Sequence, residues 1–317
     1  MFHRHLWRLC VAGASSIFFL TAVSAQSGQP QLRRLEVDGH TRVYTVEAIG
    51  GAGQGKPRPI LVELHGLGND VRENIKSRHH PNFATVTNLE PALIVRPQGA
   101  ARTWDHIPGH IKDWRRLSGA DGVPVDDIAF LRAVLADTTA KDNGDPKRAY
   151  LYGISAGGYM TARIACEMAD EFRAIANLIA TARVDQLEAC RKSKPMPYML
   201  LASKSDPVNP YAGLDRGGGS TLVAAEVLVT HFAVRNGCKT VQEAFVPPGD
   251  QTTSTTAVRI QHTECTASSE VLFVKLDGTG HNLPSRVRYE SDRDNKINRD
   301  LETAQELWDF FNRHRGP

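Results

Sequence analysis

A chain of 317 residues with a hydrophobic share of 41% is long enough for one large α/β domain or two small ones, with apolar side chain enough for a sizeable core. Its 38 basic and 35 acidic residues leave a net charge of +3. No basic block stands out beyond the solvated pairs Arg33-Arg34 and Arg115-Arg116, which argues against a nucleic-acid or anionic-membrane partner.

Residues 1–25 read as a cleavable export signal: Arg4 and Arg8 at the start, an apolar centre from Leu9 to Val23, and Val23-Ser24-Ala25 as a small-residue cleavage site. The apolar run is short and broken by Gly13, Ser15 and Ser16, which disfavours a membrane anchor. Cys10 lies too early for lipid attachment. Cleavage removes two arginines and no acid, so +3 becomes +1. The expectation is a secreted protein, extracellular or periplasmic, that leaves the membrane after cleavage, with residues 26–317 forming a single domain. Four cysteines remain, and an even number in an exported chain predicts disulfides. Three connectivities are open; Cys166–Cys190 with Cys238–Cys265 closes the shortest loops. None of the four sits in a C-x-x-C pair, so they do not predict a metal site.

Along the chain, Leu35 to Val37 and Thr41 to Glu47 flank Asp38-Gly39 and predict a β-hairpin. The run from Gly50 to Lys56 nearly spells a phosphate-binding loop, but Pro57 stands where Ser or Thr must hold the metal. Pro59 to Leu64 and Leu93 to Val95 predict strands that end on His65-Gly66-Leu67-Gly68 and Arg96-Pro97-Gln98-Gly99. A helix follows over 125–139, with apolar residues at 125, 128, 131, 134 and 135 on one face. Further strands are expected over Ala149 to Tyr152, Ala174 to Ile179, Tyr198 to Ala202 and Val271 to Lys275. Helices are expected over 156–168, 221–236 and 304–314. Pro247 to Thr256 reads as an insertion within the loop from Cys238 to Cys265. Alternation of strands and helices predicts an α/β fold, a mainly parallel central sheet with helices on both faces.

Chemistry concentrates at strand ends, where open α/β sheets gather their working residues. Gly153-Ile154-Ser155-Ala156-Gly157 matches the G-x-S-x-G elbow, in which a strand turns straight into a helix and holds a serine in a strained, exposed position. Its competing reading is a glycine-rich turn whose serine caps the helix. A serine hydroxyl needs an imidazole to take its proton, and the ring needs a carboxylate to fix its tautomer. Asp206 and His281 follow at later strand ends, in the serine–acid–base order of an α/β-hydrolase; Asp277 and Asp250 are the substitute acids. The N–H groups of Ala156 and Leu67 are the expected oxyanion donors. Trp104 and Trp114 fit either an aromatic wall for substrate or a loop anchor. His106 and His110 are four apart, but Pro108-Gly109 between them forbids a helical metal pair. His79-His80 read as exposed loop, and neither a metal nor a cofactor is expected.

These residues resemble the secreted polyhydroxybutyrate depolymerase and feruloyl/acetyl-xylan esterase group of α/β-hydrolases over about residues 35–315. The matching pieces are Val62 to Gly66, Arg96 to Gly99, Val125-Asp126-Asp127, Gly153 to Gly158, Cys166-Glu167, Ser205 to Tyr211, Asn236-Gly237-Cys238 and Gly278 to His281. The resemblance implies Ser155 as nucleophile, Asp206 as acid and His281 as base. It departs after the histidine, where the group has an aromatic residue and this chain has Asn282-Leu283. No stretch reads as a separate polymer-binding module. The expectation is therefore a serine esterase acting through an acyl-enzyme on a small-molecule or polymer ester, feruloyl or acetyl esters of plant polysaccharide first. Alternatives are a polyester depolymerase, a serine peptidase on the same fold, and a non-catalytic binding protein.

Overall fold

The computed structural model describes residues 28–51, 54–72, 80–105, 125–190, 193–215, 221–249, 253–288 and 296–316. The expected hairpin is present and longer than its apolar pattern: β1 (Gln31–Val37) and β2 (His40–Ile49) pair antiparallel. Asp38 and Gly39 both take positive φ, 49° and 78°, as a two-residue turn matched to strand twist requires.

Six strands then run parallel in the centre of one ten-stranded sheet. They are β4 (Ala92–Pro97), β3 (Arg58–Leu64), β5 (Gly144–Ile154), β6 (Ala174–Leu178), β7 (Tyr198–Ser203) and β10 (Val271–Asp277), side by side in that order. The β1–β2 hairpin extends the β4 edge. A second antiparallel pair, β9 (Thr256–Thr263) and β8 (Thr240–Phe245), extends the β10 edge. That second pair is a correction to the sequence reading: the segment after Cys238 holds two strands, and residues 246–255 join them.

Side chains alternate across the sheet and build two cores. Ile60, Val62, Leu64, Ala149 and Leu151 meet one face, covered by α1 (Asp127–Asp142), α2 (Ala156–Glu167), α3 (Val184–Ala189) and α4 (Ala225–Arg235). Leu61, Tyr150, Tyr152 and Ile154 meet the other, covered by α5 (Thr303–Arg313) through Leu307, Trp308, Phe310 and Phe311. Helices thus lie on both faces, as expected.

Two helix boundaries move for local reasons. Asp126 accepts from the Ile128 and Ala129 N–H groups at 2.8 and 3.0 Å, so α1 starts at Asp127 and not at Val125. The predicted start of α4 at Thr221 is wrong because that backbone is already in use. Leu222 exchanges hydrogen bonds with Leu214, Val184 N–H donates to Thr221, and Val223 N–H donates to Ala182. The cysteines pair as Cys166–Cys190, joining the ends of α2 and α3, and Cys238–Cys265, closing the base of the β8–β9 pair. Among the described residues, no helix is long and apolar enough to cross a membrane.

Candidate active site

Residue 155 stands where β5 turns into α2 with φ 53° and ψ −110°, a conformation a non-glycine residue adopts only under constraint. The flanking glycines make that turn sterically possible. A Cβ on Gly153 would stand 2.1 Å from the Gly157 carbonyl oxygen, and one on Gly157 would stand 2.2 Å from that of Leu64. Ser155 N–H donates to Leu178 at 2.9 Å. Its hydroxyl does not cap α2, so the competing helix-cap reading fails.

The hydroxyl faces His281 instead. Ser155 Oγ lies 3.1 Å from His281 Nε2, and His281 Nδ1 lies 2.7 Å from Asp206 Oδ2. The three residues come from turns after β5, β7 and β10, which reach one rim because those strands run parallel in the sheet. Asp206 is 6% exposed, and its other oxygen accepts the N–H groups of Val208 and Asn209 at 2.8 and 2.9 Å. With Asp206 so held, the His281 proton sits on Nδ1 and Nε2 is free to accept from the serine. The substitute Asp277 is engaged elsewhere, accepting from Ser205 Oγ at 3.0 Å; Asp250, like Trp114, His79, His106 and His110, lies outside the described residues.

The loop after β3 packs directly against the serine. A Cβ on Gly66 would stand 3.6 Å from Ser155 Cβ, and the next residue, Leu67, is 72% exposed. His65, buried beneath, fixes this loop. Gly99 N–H donates to His65 Nε2 at 3.0 Å, so Nδ1 carries the proton and donates to the Gly66 carbonyl at 2.7 Å. Burial lowers the pKa of the ring, which keeps it neutral in this arrangement. Gln98 stands 3.0 Å from the same Nε2 and accepts Val71 N–H at 2.9 Å. Trp104 is buried, donates from its indole to the His65 carbonyl at 2.9 Å and lies with ring centroids 4.9 Å from the imidazole. These contacts fit the loop-anchoring role of the two weighed for it.

Two residues before His65, on β3, Glu63 is fully buried among Tyr152, Arg96 and His80. Burial pushes its carboxyl up, but the His80 and Arg96 charges and the hydrogen bonds hold it well below the usual range. His80 is thus a half-buried partner of Glu63, where the sequence suggested exposed loop. Beside Trp104, burial raises the Asp105 carboxyl to about 6 against the opposing charge of Arg163. Among the described residues no three His, Cys, Asp or Glu side chains cluster as metal ligands would.

Gln98, Asn209 and Tyr159, whose hydroxyl donates to Asn209 Oδ1, had no role assigned from the sequence. Their positions, just past strand ends or one turn into the elbow helix, were the available signal. The assembled site can pass a proton from a serine hydroxyl to an imidazole beside the first N–H of a helix.

No family model matches the chain. It is 25% identical over 291 residues to a protein named putative esterase NocK from Nocardia uniformis, covering 88% of this chain and 81% of that one. It is 26% identical over 329 residues to feruloyl esterase D of Neurospora crassa, with 98% of each chain covered. A probable feruloyl esterase C of Aspergillus oryzae is 26% identical over 244 residues, with 76% of each covered. Among solved structures, a Mycobacterium tuberculosis puromycin-hydrolyzing peptidase superposes with a TM-score of 0.56 at 14% identity, over 91% of this chain and 40% of that one. An acylaminoacyl peptidase of Pyrococcus horikoshii gives 0.51 at 13%, over 90% and 41%. At those identities the two structures speak to the fold alone.

Proposed function

We propose that this chain is a carboxylic-ester hydrolase of the α/β-hydrolase superfamily, in the group of the feruloyl esterases, to two of which it is 26% identical, and that Ser155 is its nucleophile, His281 its general base and Asp206 the acid behind the base. The observation that carries this reading is the unbroken hydrogen-bonded run from Asp206 Oδ2 through His281 to Ser155 Oγ, at 2.7 and 3.1 Å.

Ser155 Oγ attacks the ester carbonyl carbon while its proton passes to His281 Nε2. The charge that develops on the carbonyl oxygen is held by the N–H groups of Leu67 and Ala156. The intermediate collapses, the bond to the alcohol breaks, and His281 returns its proton to the departing oxygen. Water, deprotonated by His281, then releases the acid from Ser155. Asp206 stays ionised and balances the charged ring throughout.

The substrates proposed are feruloyl or acetyl esters of plant polysaccharide, in an exported enzyme. The relatives named feruloyl esterase support the aromatic acyl group. So do Leu67 and Val208, apolar side chains 72% and 52% exposed beside the nucleophile and the acid. Export is supported by the signal-like residues 1–25 and by two disulfides, which persist in oxidising compartments.

The test compares wild type with Ser155→Ala on methyl ferulate, acetylated xylan, hydroxybutyrate oligomers and aryl amides, with organophosphonate labelling in parallel. We expect labelling at residue 155, ester turnover well above amide turnover, and a loss on the order of 10⁵–10⁶ in kcat for Ser155→Ala. Substantial turnover by Ser155→Ala overturns the mechanism, and faster amide cleavage overturns the esterase assignment.

A further inference from the structure

Asn209 lies three residues past Asp206 and is 7% exposed. Three separate parts of the site converge on it. Its backbone N–H donates to Asp206 Oδ1 at 2.9 Å. Its side-chain Nδ2 donates to the Ile179 carbonyl at 2.6 Å. Its Oδ1 accepts the Tyr159 hydroxyl.

Each partner leads back to Ser155. Ile179 follows Leu178, whose carbonyl accepts the Ser155 N–H at 2.9 Å. Tyr159 lies one turn into α2, and its own N–H donates to the Ser155 carbonyl at 3.2 Å. Ile179 is itself unusual. It has φ 49°, a strained region that a β-branched side chain holds only when its surroundings over-determine it. Its N–H is tied to Leu201 at 2.7 Å and its carbonyl to Asn209. The end of β6 is thereby clamped from both sides.

We infer that Asn209 is a positioning residue: its amide locks the loop carrying Asp206 to the strained end of β6 and to α2, and so fixes the acid beneath His281 relative to Ser155. The inference rests on the reading of Ser155, His281 and Asp206 as the triad. Asn suits the position because it donates from one end to a carbonyl and accepts at the other from a hydroxyl. Alanine removes the bonds to both partners, and aspartate cannot donate to the carbonyl.

Displacements near 1 Å in a catalytic constellation cost on the order of 10²-fold. In the full chain, with kcat expressed per site titrated by an organophosphonate, Asn209→Ala is expected to lower kcat by about 10- to 100-fold while KM stays within about twofold. Labelling of Ser155 should slow by the same factor. Tyr159→Phe, which keeps the ring, should give a smaller loss of the same kind. The double variant should be no slower than Asn209→Ala, because Tyr159 acts through Asn209.

A merely structural residue would lower the number of titratable sites and leave each survivor at full speed. That result for Asn209→Ala, or losses that multiply in the double variant, overturns the inference. Should Asn209→Ala fail to fold, an unchanged kcat per site in Tyr159→Phe overturns it equally. Turnover retained by Ser155→Ala would sink the triad reading instead, so the two failures are separable.

Discussion

His65 transfers no proton in the proposed mechanism, yet it holds the backbone that the mechanism needs. Its ring joins the Gly66 carbonyl to the Gly99 N–H through a single neutral tautomer, and Leu67 follows on the same loop. His65→Ala should therefore act like loss of an oxyanion donor, lowering kcat on the order of 10²–10³-fold with little change in KM; steady-state kinetics on an aryl ester checks this. An unchanged kcat would mean that the loop holds its shape without the ring. Ser155, Asp206 and His281 were legible in the sequence because each bears reactive chemistry at a predicted strand end. Asn209, Gln98 and Tyr159 were not. Their partners include backbone carbonyls and N–H groups supplied by distant turns, and a backbone group has no signature in the sequence.

The β8–β9 pair shows the same limit among elements. β8 is exposed almost throughout and forms the outer edge of the sheet, so burial imposes no apolar alternation from which a strand can be read. The central strands were legible because burial on both faces makes them continuous apolar runs. The start of α4 was misread because the bonds that claim residues 221–223 come from residues 182, 184 and 214, and no local propensity reports them. Cys238–Cys265, 27 residues apart in sequence, fastens the base of the β8–β9 pair. Chain-entropy reasoning gives such a loop about 3.5 kcal/mol. Replacing both cysteines by serine should lower the thermal midpoint accordingly while kcat at about 25 °C stays within about twofold, since the pair lies outside the catalytic rim. A large fall in kcat per titrated site would show that the edge strands support the His281 loop.

For the molecule as a whole, acid sensitivity should report the join between α5 and the sheet. Glu270, just before β10, accepts from Arg313 at 2.7 and 3.0 Å, from Gln261 at 2.6 Å, and faces His314 at 3.1 Å. Burial pushes its carboxyl up, but the His314 and Arg313 hydrogen bonds outweigh burial and hold it at about 2. A carboxyl depressed on folding adds stability above its unfolded value near pH 4.3, and that stability is lost as pH falls toward about 2. Denaturant unfolding should therefore find Glu270→Gln about 2–3 kcal/mol less stable than wild type at pH 7, with the gap closing by about pH 2. A gap that does not change with pH would assign the loss to packing.

The unequal cladding of the sheet also bears on when the protein can become itself. Among the described residues, one face carries four helices that precede β10 in the chain, while the other carries α5 alone, the 11 residues 303–313. Until those residues are made, Tyr150 lacks the Phe311 ring stacked on it with centroids 5.0 Å apart, and the second core lacks Leu307, Trp308 and Phe310. Cooperative closure of the second core therefore waits on α5.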